Sequence, residues 1–381
     1  MKSLSTALAQ RHQQGLYRQR RVMHGQSSVH MQLAGQPVIN FCSNDYLGLA
    51  SDPRLIAALA DGARRYGVGS GASHLVTGHH AIHDALEQAL AEFTGRPRAL
   101  LFSTGYMANL GVITTLAGRH DRIFSDRLNH ASLLDGARLS GATMQRYPHH
   151  DMAALHTLLA EPSTAQTLVV SDGVFSMDGD IAPLPQLMQL AHDSGSWLII
   201  DDAHGFGVLG AHGGGTFEHC SQPHSDNVAV IGTFGKAFGT SGAFVAGSDA
   251  LIETLIQNAR SYIYTTALSP ALAHATLVSL GIVRDEDWRR QQLRSLIERF
   301  RRGAAQLGLT LGESTTPIQP LIIGDNARCV AASERLLAAG LLISAIRPPT
   351  VPHGTARLRI TLSAAHREVD IDRLLDALSG L

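Results

Sequence analysis

Cysteine is scarce in this sequence: Cys42, Cys220 and Cys329 are the only three in 381 residues, widely spaced and odd in number. Neither a disulfide framework nor a zinc knuckle follows from that spacing, and the usage suits reduced thiols in the cytoplasm. Long apolar runs are missing as well. None approaches the roughly 20 residues a membrane helix needs, and the N-terminus turns polar and basic too soon for a secretory signal. Net charge is almost nil, with 31 Lys+Arg against 32 Asp+Glu. That argues against nucleic acid or an acidic membrane as a global partner. Histidine is plentiful, at 20 residues, yet no His-Glu-x-x-His and no Cys/His cluster occurs. The pairs His79-His80 and His149-His150 are adjacent, so their rings are expected to point apart. No metal is expected. Internal repeats and low-complexity linkers are absent too.

What is present is alternation. Ala99–Ser103, Arg122–Asp126, Thr167–Ser171, Trp197–Ile200, Val228–Ile231 and Ala243–Ala246 read as short buried strands. Helix-periodic segments such as His83–Phe93, Leu184–His192 and Leu251–Ala259 separate most of them. This is the pattern of an α/β fold, a mostly parallel sheet with helices on both faces. After about Ser269 the pattern changes to a long helical stretch reaching Leu307. Strands at Ile318–Ile323, Leu341–Ala345 and Arg357–Thr361 follow, with helices at Ala327–Ala339 and from Glu368. The expected division is an N-terminal arm (1–49) packing with a smaller α+β domain (285–381), and a large domain (50–284).

Lys236 stands out, in Thr233-Phe234-Gly235-Lys236-Ala237-Phe238-Gly239 after an apolar strand. A structural lysine prefers an open surface. One held among Gly, Ala and Phe loses solvation, its pKa falls, and its amine becomes a nucleophile. Trp197–Asp201 is a strand ending in a carboxylate, followed by Asp202-Ala203-His204-Gly205. Carboxyl ends of parallel strands are where open α/β sheets bind ligands. Asp201 precedes Lys236 by 236 − 201 = 35 residues, about one βα unit. A Schiff-base lysine and an Asp facing a pyridinium nitrogen are what pyridoxal phosphate (PLP) requires. Ser103–Asn109 follows a strand and opens a helix, which is either an ordinary βα turn or an anion site in which free N–H groups at Gly105 and Tyr106 hold a phosphate. Asn129-His130-Ala131-Ser132 has a like position, and Tyr106 or His130 would stack on a ring there. Gly67–Ala72 resembles part of a dinucleotide fingerprint. What precedes it, Asp61–Tyr66, is helical and charged where the fingerprint needs a strand, so a close-approach loop is expected instead.

Six segments carry a resemblance: Asn40–Leu49, Gly69–Gly71, Asp172–Asp180, Asp201–Gly205, Thr233–Lys236 and Ile346–Pro352. On these the chain resembles the α-oxoamine synthase family of fold-type I PLP-dependent transferases, nearly end to end. The resemblance implies that Lys236 carries PLP, Asp201 faces the pyridine nitrogen, His204 meets the phenolic oxygen and His130 stacks on the ring. Ser176, Thr233, Gly105 and Tyr106 would hold cofactor or phosphate. A homodimer with a shared site is implied, in which Thr265 and Thr266 reach the partner's phosphate. Arg359 would bind the amino-acid carboxylate, with Asn44 and His130 nearby. Arg18, Arg347 and Thr350 would line the acyl side, Arg18 being favoured over Arg20 and Arg21 by its spacing to Asn44. Ile346–Pro352 points to the branch that joins L-alanine to a pimeloyl thioester, on CoA or on an acyl carrier protein, with loss of carbon dioxide. Glycine-using members, a simple aminotransferase and a non-catalytic scaffold subunit are the alternatives; the first two are separated by substrate assay and cofactor spectrum, the last by the presence of Lys236.

Overall fold

The computed structural model describes residues 3–13, 16–17 and 20–381. Its centre is a seven-stranded sheet. In spatial order the strands are Arg98–Phe102, Ala243–Gly247, Val228–Thr233, Trp197–Asp201, Thr167–Asp172, Arg122–Asp126 and Thr143–Tyr147. The last five are mutually parallel, and Ala243–Gly247 runs antiparallel to both of its neighbours. Alternate residues of one strand enter different cores: Ile199 packs on one face, Leu198 and Ile200 on the other. Burial on both faces is why these strands read as continuous apolar runs.

Two further sheets complete the molecule. Ile318–Gly324, Ala356–Thr361 and Ser344–Ile346 form an antiparallel trio. Met23–His24, His30–Leu33 and Gln36–Asn40 form a meander whose last strand pairs in parallel with Leu341–Leu342. The N-terminal segment is thereby hydrogen-bonded to the C-terminal quarter of the chain. The expected strand Leu341–Ala345 splits between these two sheets.

Two elements depart from expectation. Thr143–Tyr147 is an edge strand that the apolar pattern did not mark, because most of its side chains are exposed or half-exposed. The helical stretch after Ser269 is two helices, Pro270–Asp285 and Asp287–Gln306, broken at Glu286. Glu286 accepts from Arg54 and Arg289, so the break lies where an ion pairing at the surface holds the chain.

The lysine loop rests on aromatic packing. Phe234 and Phe238 flank Lys236, are fully buried, and pack with Phe206 and Phe244. Burying each such ring contributes about 1.5–3 kcal/mol, which holds the loop rigid below a polar rim. Gly239 closes the loop at φ +65°, and a Cβ there would lie 2.4 Å from the Ala50 nitrogen. Only glycine allows that approach.

Candidate active site

Strand ends supply the site. Asp172 and Asp201 lie opposite one another in register at the carboxyl ends of adjacent strands. Thr233 ends the next strand, and Lys236 follows three residues later. Burial pushes the Lys236 amine down to about 8, against the upward pull of Asp201 and Asp172. A substantial fraction of the amine is therefore neutral near physiological pH. Lys2 and Lys236 are the only lysines of the chain, a signal that by itself would have singled out Lys236.

Two hydrogen-bond chains flank the amine. In the first, Asp201 accepts from Ala203 N–H at 3.0 Å and from Asn109 Nδ2 at 2.6 Å. Asn109 also donates to Ser132 Oγ, which lies 2.7 Å from His130 Nδ1. The His130 backbone N–H donates to Asp172 at 2.8 Å. Burial and the nearby Asp201 charge hold the Asp172 carboxyl well above the usual carboxylate range. In the second chain, His204 Nδ1 lies 2.7 Å from the Tyr46 hydroxyl, which donates to Asn44 Oδ1 at 3.2 Å. Arg359 donates to that same oxygen through both terminal nitrogens, and to the Ser176 carbonyl at 2.6 Å. Burial, with Lys236 and Arg359 close by, holds His204 well below the ordinary histidine pKa. Burial also raises Tyr46 to about 12. Asp202 turns away, as strand alternation requires. It accepts from Thr216 N–H at 2.7 Å, and burial pushes its carboxyl up to about 7.

The helix start expected to receive an anion is present. Gly105 and Tyr106 open the helix Gly105–Leu116, which Thr104 caps through Met107 N–H. Among the described residues the N–H groups of Gly105 and Tyr106 have no protein acceptor, as a phosphate site at a helix start needs. Thr233 Oγ1 donates to Gly242 O at 3.0 Å. The Tyr106 hydroxyl donates to Asp135 and its ring is exposed. Thr265 and Thr266 lie in the turn beside this helix start. Ser103 Oγ donates to the Thr266 carbonyl of the same chain at 3.4 Å, so this segment has a neighbour in its own subunit as well. The Gly67–Ala72 loop packs there too, with Ser70 Oγ donating to Ala267 O at 2.7 Å. The contact is made by Ser70 and not by the glycines: a Cβ at Gly67, Gly69 or Gly71 would meet nothing within 4 Å, so no close approach requires them.

Arg347 and Thr350 line a cavity of about 1050 Å³ together with Arg11, Tyr17 and Arg21. Arg18 lies outside the described residues. Sequence reasoning assigned no role to Tyr46, Asn109, Ser132 or Asp172, although Tyr46 and Asp172 sit inside the quoted segments, and it passed over Arg21 in favour of Arg18.

Two histidine groups also form. His149 and His150 stack at 3.8 Å, contrary to the expectation that adjacent rings point apart; His150 has φ +57°, neither helical nor extended. His149 bridges Asp126 at 2.9 Å and Asp180 at 2.6 Å. Burial alone would lower its pKa, but these carboxylates raise it to about 10. His74, His79 and His83 also converge. His83 bonds the Leu268 carbonyl through Nε2 and accepts His80 N–H at Nδ1, so its ring has no lone pair to spare.

Known proteins resemble this chain over nearly its whole length. The family model for aminotransferase class I and II matches residues 36–378. The 8-amino-7-oxononanoate synthase of Methylococcus capsulatus is 60% identical over 98% of this chain and 97% of its own length. Serine palmitoyltransferase from S. paucimobilis, solved with a bound PLP–myriocin aldimine, superposes with a TM-score of 0.93 at 31% identity, covering 100% of this chain and 96% of that one. The 8-amino-7-oxononanoate synthase of Francisella tularensis gives a TM-score of 0.80 at 33% identity, covering 90% and 97%. Among the described residues no helix is long and apolar enough to cross a membrane.

Proposed function

Because the chain belongs to the class I and II aminotransferase family and, within it, to the 8-amino-7-oxononanoate synthases, we propose a division of labour among its residues for that reaction. The reaction is the PLP-dependent condensation of L-alanine with a pimeloyl thioester. It releases carbon dioxide and the free thiol carrier and gives 8-amino-7-oxononanoate for biotin biosynthesis. The observation that carries the assignment is Lys236, a partly buried amine with lowered pKa, set between the Asp201 and His204 chains. The donor set fits PLP: one amine for the aldehyde, one carboxylate for the ring nitrogen, one helix start for the phosphate. When bound, PLP supplies a ring that accepts electron density from the substrate α-carbon.

Asp201 holds the proton on the ring nitrogen. His204, backed by Tyr46, meets the phenolic oxygen, and His130 stacks on the ring. Gly105 and Tyr106 donate N–H groups to the phosphate, with Ser176 and Thr233 beside it. The Lys236 amine, when free and neutral, would take the α-proton and later return one. Arg359 binds the alanine carboxylate, and Asn44 and Ser176 hold its guanidinium in place. Arg347 and Thr350 receive the acyl chain in the cavity they line, where paired donors suit the remote carboxylate of pimelate; Arg18 serves the same substrate. Residues 1–49 and 285–381 act as one unit against 50–284, since Gln36–Asn40 pairs with Leu341–Leu342. The working form is a homodimer in which Thr265 and Thr266 reach the partner's phosphate. With its three cysteines free, we place the protein in the cytoplasm.

The test is an absorption spectrum of the purified holoenzyme, followed by turnover of L-alanine with pimeloyl-CoA. Alanine should be used well ahead of glycine, and pimeloyl-CoA ahead of acetyl-CoA or succinyl-CoA. Preference for glycine with a short acyl thioester would overturn the substrate assignment.

A further inference from the structure

Asn109 lies on the buried face of the helix Gly105–Leu116 and is 1% exposed. Its Nδ2 donates to Asp201 Oδ2 and to Ser132 Oγ, which uses both hydrogens of the amide. Turned over, the amide would aim its oxygen at a carboxylate oxygen, acceptor against acceptor, so this orientation is the one the chemistry allows. Ser132 is buried to the same degree. Its oxygen accepts from Asn109, and among its hydrogen-bond partners only His130 Nδ1, at 2.7 Å, is left to accept the hydroxyl hydrogen. The Ser132 backbone N–H points at the same ring nitrogen at 3.3 Å. Two donors converge on Nδ1, so Nδ1 carries the lone pair and the ring hydrogen sits on Nε2.

We propose that Asn109 and Ser132 are positioning residues that hold His130 as its Nε2–H tautomer and tie that tautomer to the acceptor role of Asp201. Asp201 orients Asn109, Asn109 orients the Ser132 hydroxyl, and the hydroxyl sets the imidazole. The exposed edge of the ring is then a hydrogen-bond donor, matched to an oxygen acceptor on the substrate. His130 is held at its backbone as well, through Asp172, so ring and main chain are both referenced to the two adjacent strand ends. The hydrogen-bond chain stands on the geometry alone. Its consequence for turnover rests on the reading that His130 lies over the cofactor ring.

Holoenzyme labelled with nitrogen-15 histidine tests this, because long-range proton–nitrogen correlation separates a bare ring nitrogen from a protonated one. The His130 signal is identified by its loss in His130→Gln. A bare Nδ1 and protonated Nε2 are expected in the wild type and in Ser132→Thr, which keeps the hydroxyl. Ser132→Ala and Asn109→Ala should show both tautomers. Ser132→Ala should also lower kcat/KM about tenfold, the worth of one hydrogen bond, and Ser132→Thr should recover most of that loss. A protonated Nδ1 in the wild type overturns the proposal without any variant, and so does an unchanged tautomer in Ser132→Ala. If His130→Gln leaves cofactor affinity and absorption unaltered, the placement over the ring fails while the tautomer result stands.

Discussion

Asp201→Asn and Asp202→Asn make the same small change at adjacent positions, and the structure separates their consequences. Both Asp201 oxygens accept: one from Ala203 N–H, the other from Asn109 Nδ2. Asparagine has one acceptor oxygen and one donor nitrogen. Whichever way it turns, a donor faces a donor, costing about 1–3 kcal/mol of stability. The charge proposed to hold the ring-nitrogen proton is also lost. Breaking a buried ion pair costs about 3–5 kcal/mol, or roughly 150- to 5000-fold in rate. Lys236 responds as well. Burial lowers its pKa and Asp201 is the first of the groups that raise it, so in Asp201→Asn the amine should titrate below about 8. At Asp202, burial raises the carboxyl to about 7. Near that pH an amide mimics the protonated acid and can still accept Thr216 N–H. Asp202→Asn should therefore cost under about tenfold, less than one hydrogen bond's worth. The assay is kcat/KM for L-alanine with saturating pimeloyl-CoA and PLP at pH 7, with thermal unfolding of each holo form alongside. Losses of equal size in the two variants, or a larger one in Asp202→Asn, would refute the assignment.

Lys236→Ala should fold and lose turnover, and borohydride should fix the cofactor of the wild type to Lys236; a label on Lys2 would sink the assignment. Arg347→Ala should raise the KM for pimeloyl-CoA far more than that for alanine. Loss of a charge-assisted bond is worth about 1.5–3 kcal/mol, roughly 10- to 150-fold. Arg359→Ala should harm alanine use first, and like effects of both variants on both substrates would leave neither arginine assigned. His149 offers a pH test. Its folded pKa, about 10, lies above the unfolded value of about 6.5. Its contribution to stability is therefore complete below about pH 6.5 and is lost as pH rises through about 10. The Tm gap between wild type and His149→Gln should shrink from pH 7 to pH 10.5, and a gap that widens would contradict the ion bridge. For the shared site, mixing Lys236→Ala with Thr266→Val subunits should restore activity, whereas full activity from a dilute monomer would exclude it.

Local chemistry settled much of this protein from its sequence. Apolar runs of four to six residues between helical periods dictate a sheet buried on both faces. Glycines and phenylalanines around Lys236 announce an amine withheld from water, and a carboxylate at the end of Trp197–Asp201 announces a rim site. These signals are short-range, so they survive without knowledge of strand order. The edge strand Thr143–Tyr147 left no such trace, because an exposed edge needs no apolar pattern. The break at Glu286 reads in the sequence as a domain boundary near Asp285 and not as a helix end, since the interruption comes with a pairing to Arg54, 232 positions away. Partnerships across the site belong to the same class. Tyr46 meets His204 across 158 residues, Asn109 meets Asp201 across 92, and Arg359 meets Asn44 across 315. Each depends on which strands are neighbours and on their register, which place strand ends at one rim whatever their separation in sequence. The residues proposed to do the chemistry were written locally; the residues that hold them in position were chosen by the packing of the whole sheet.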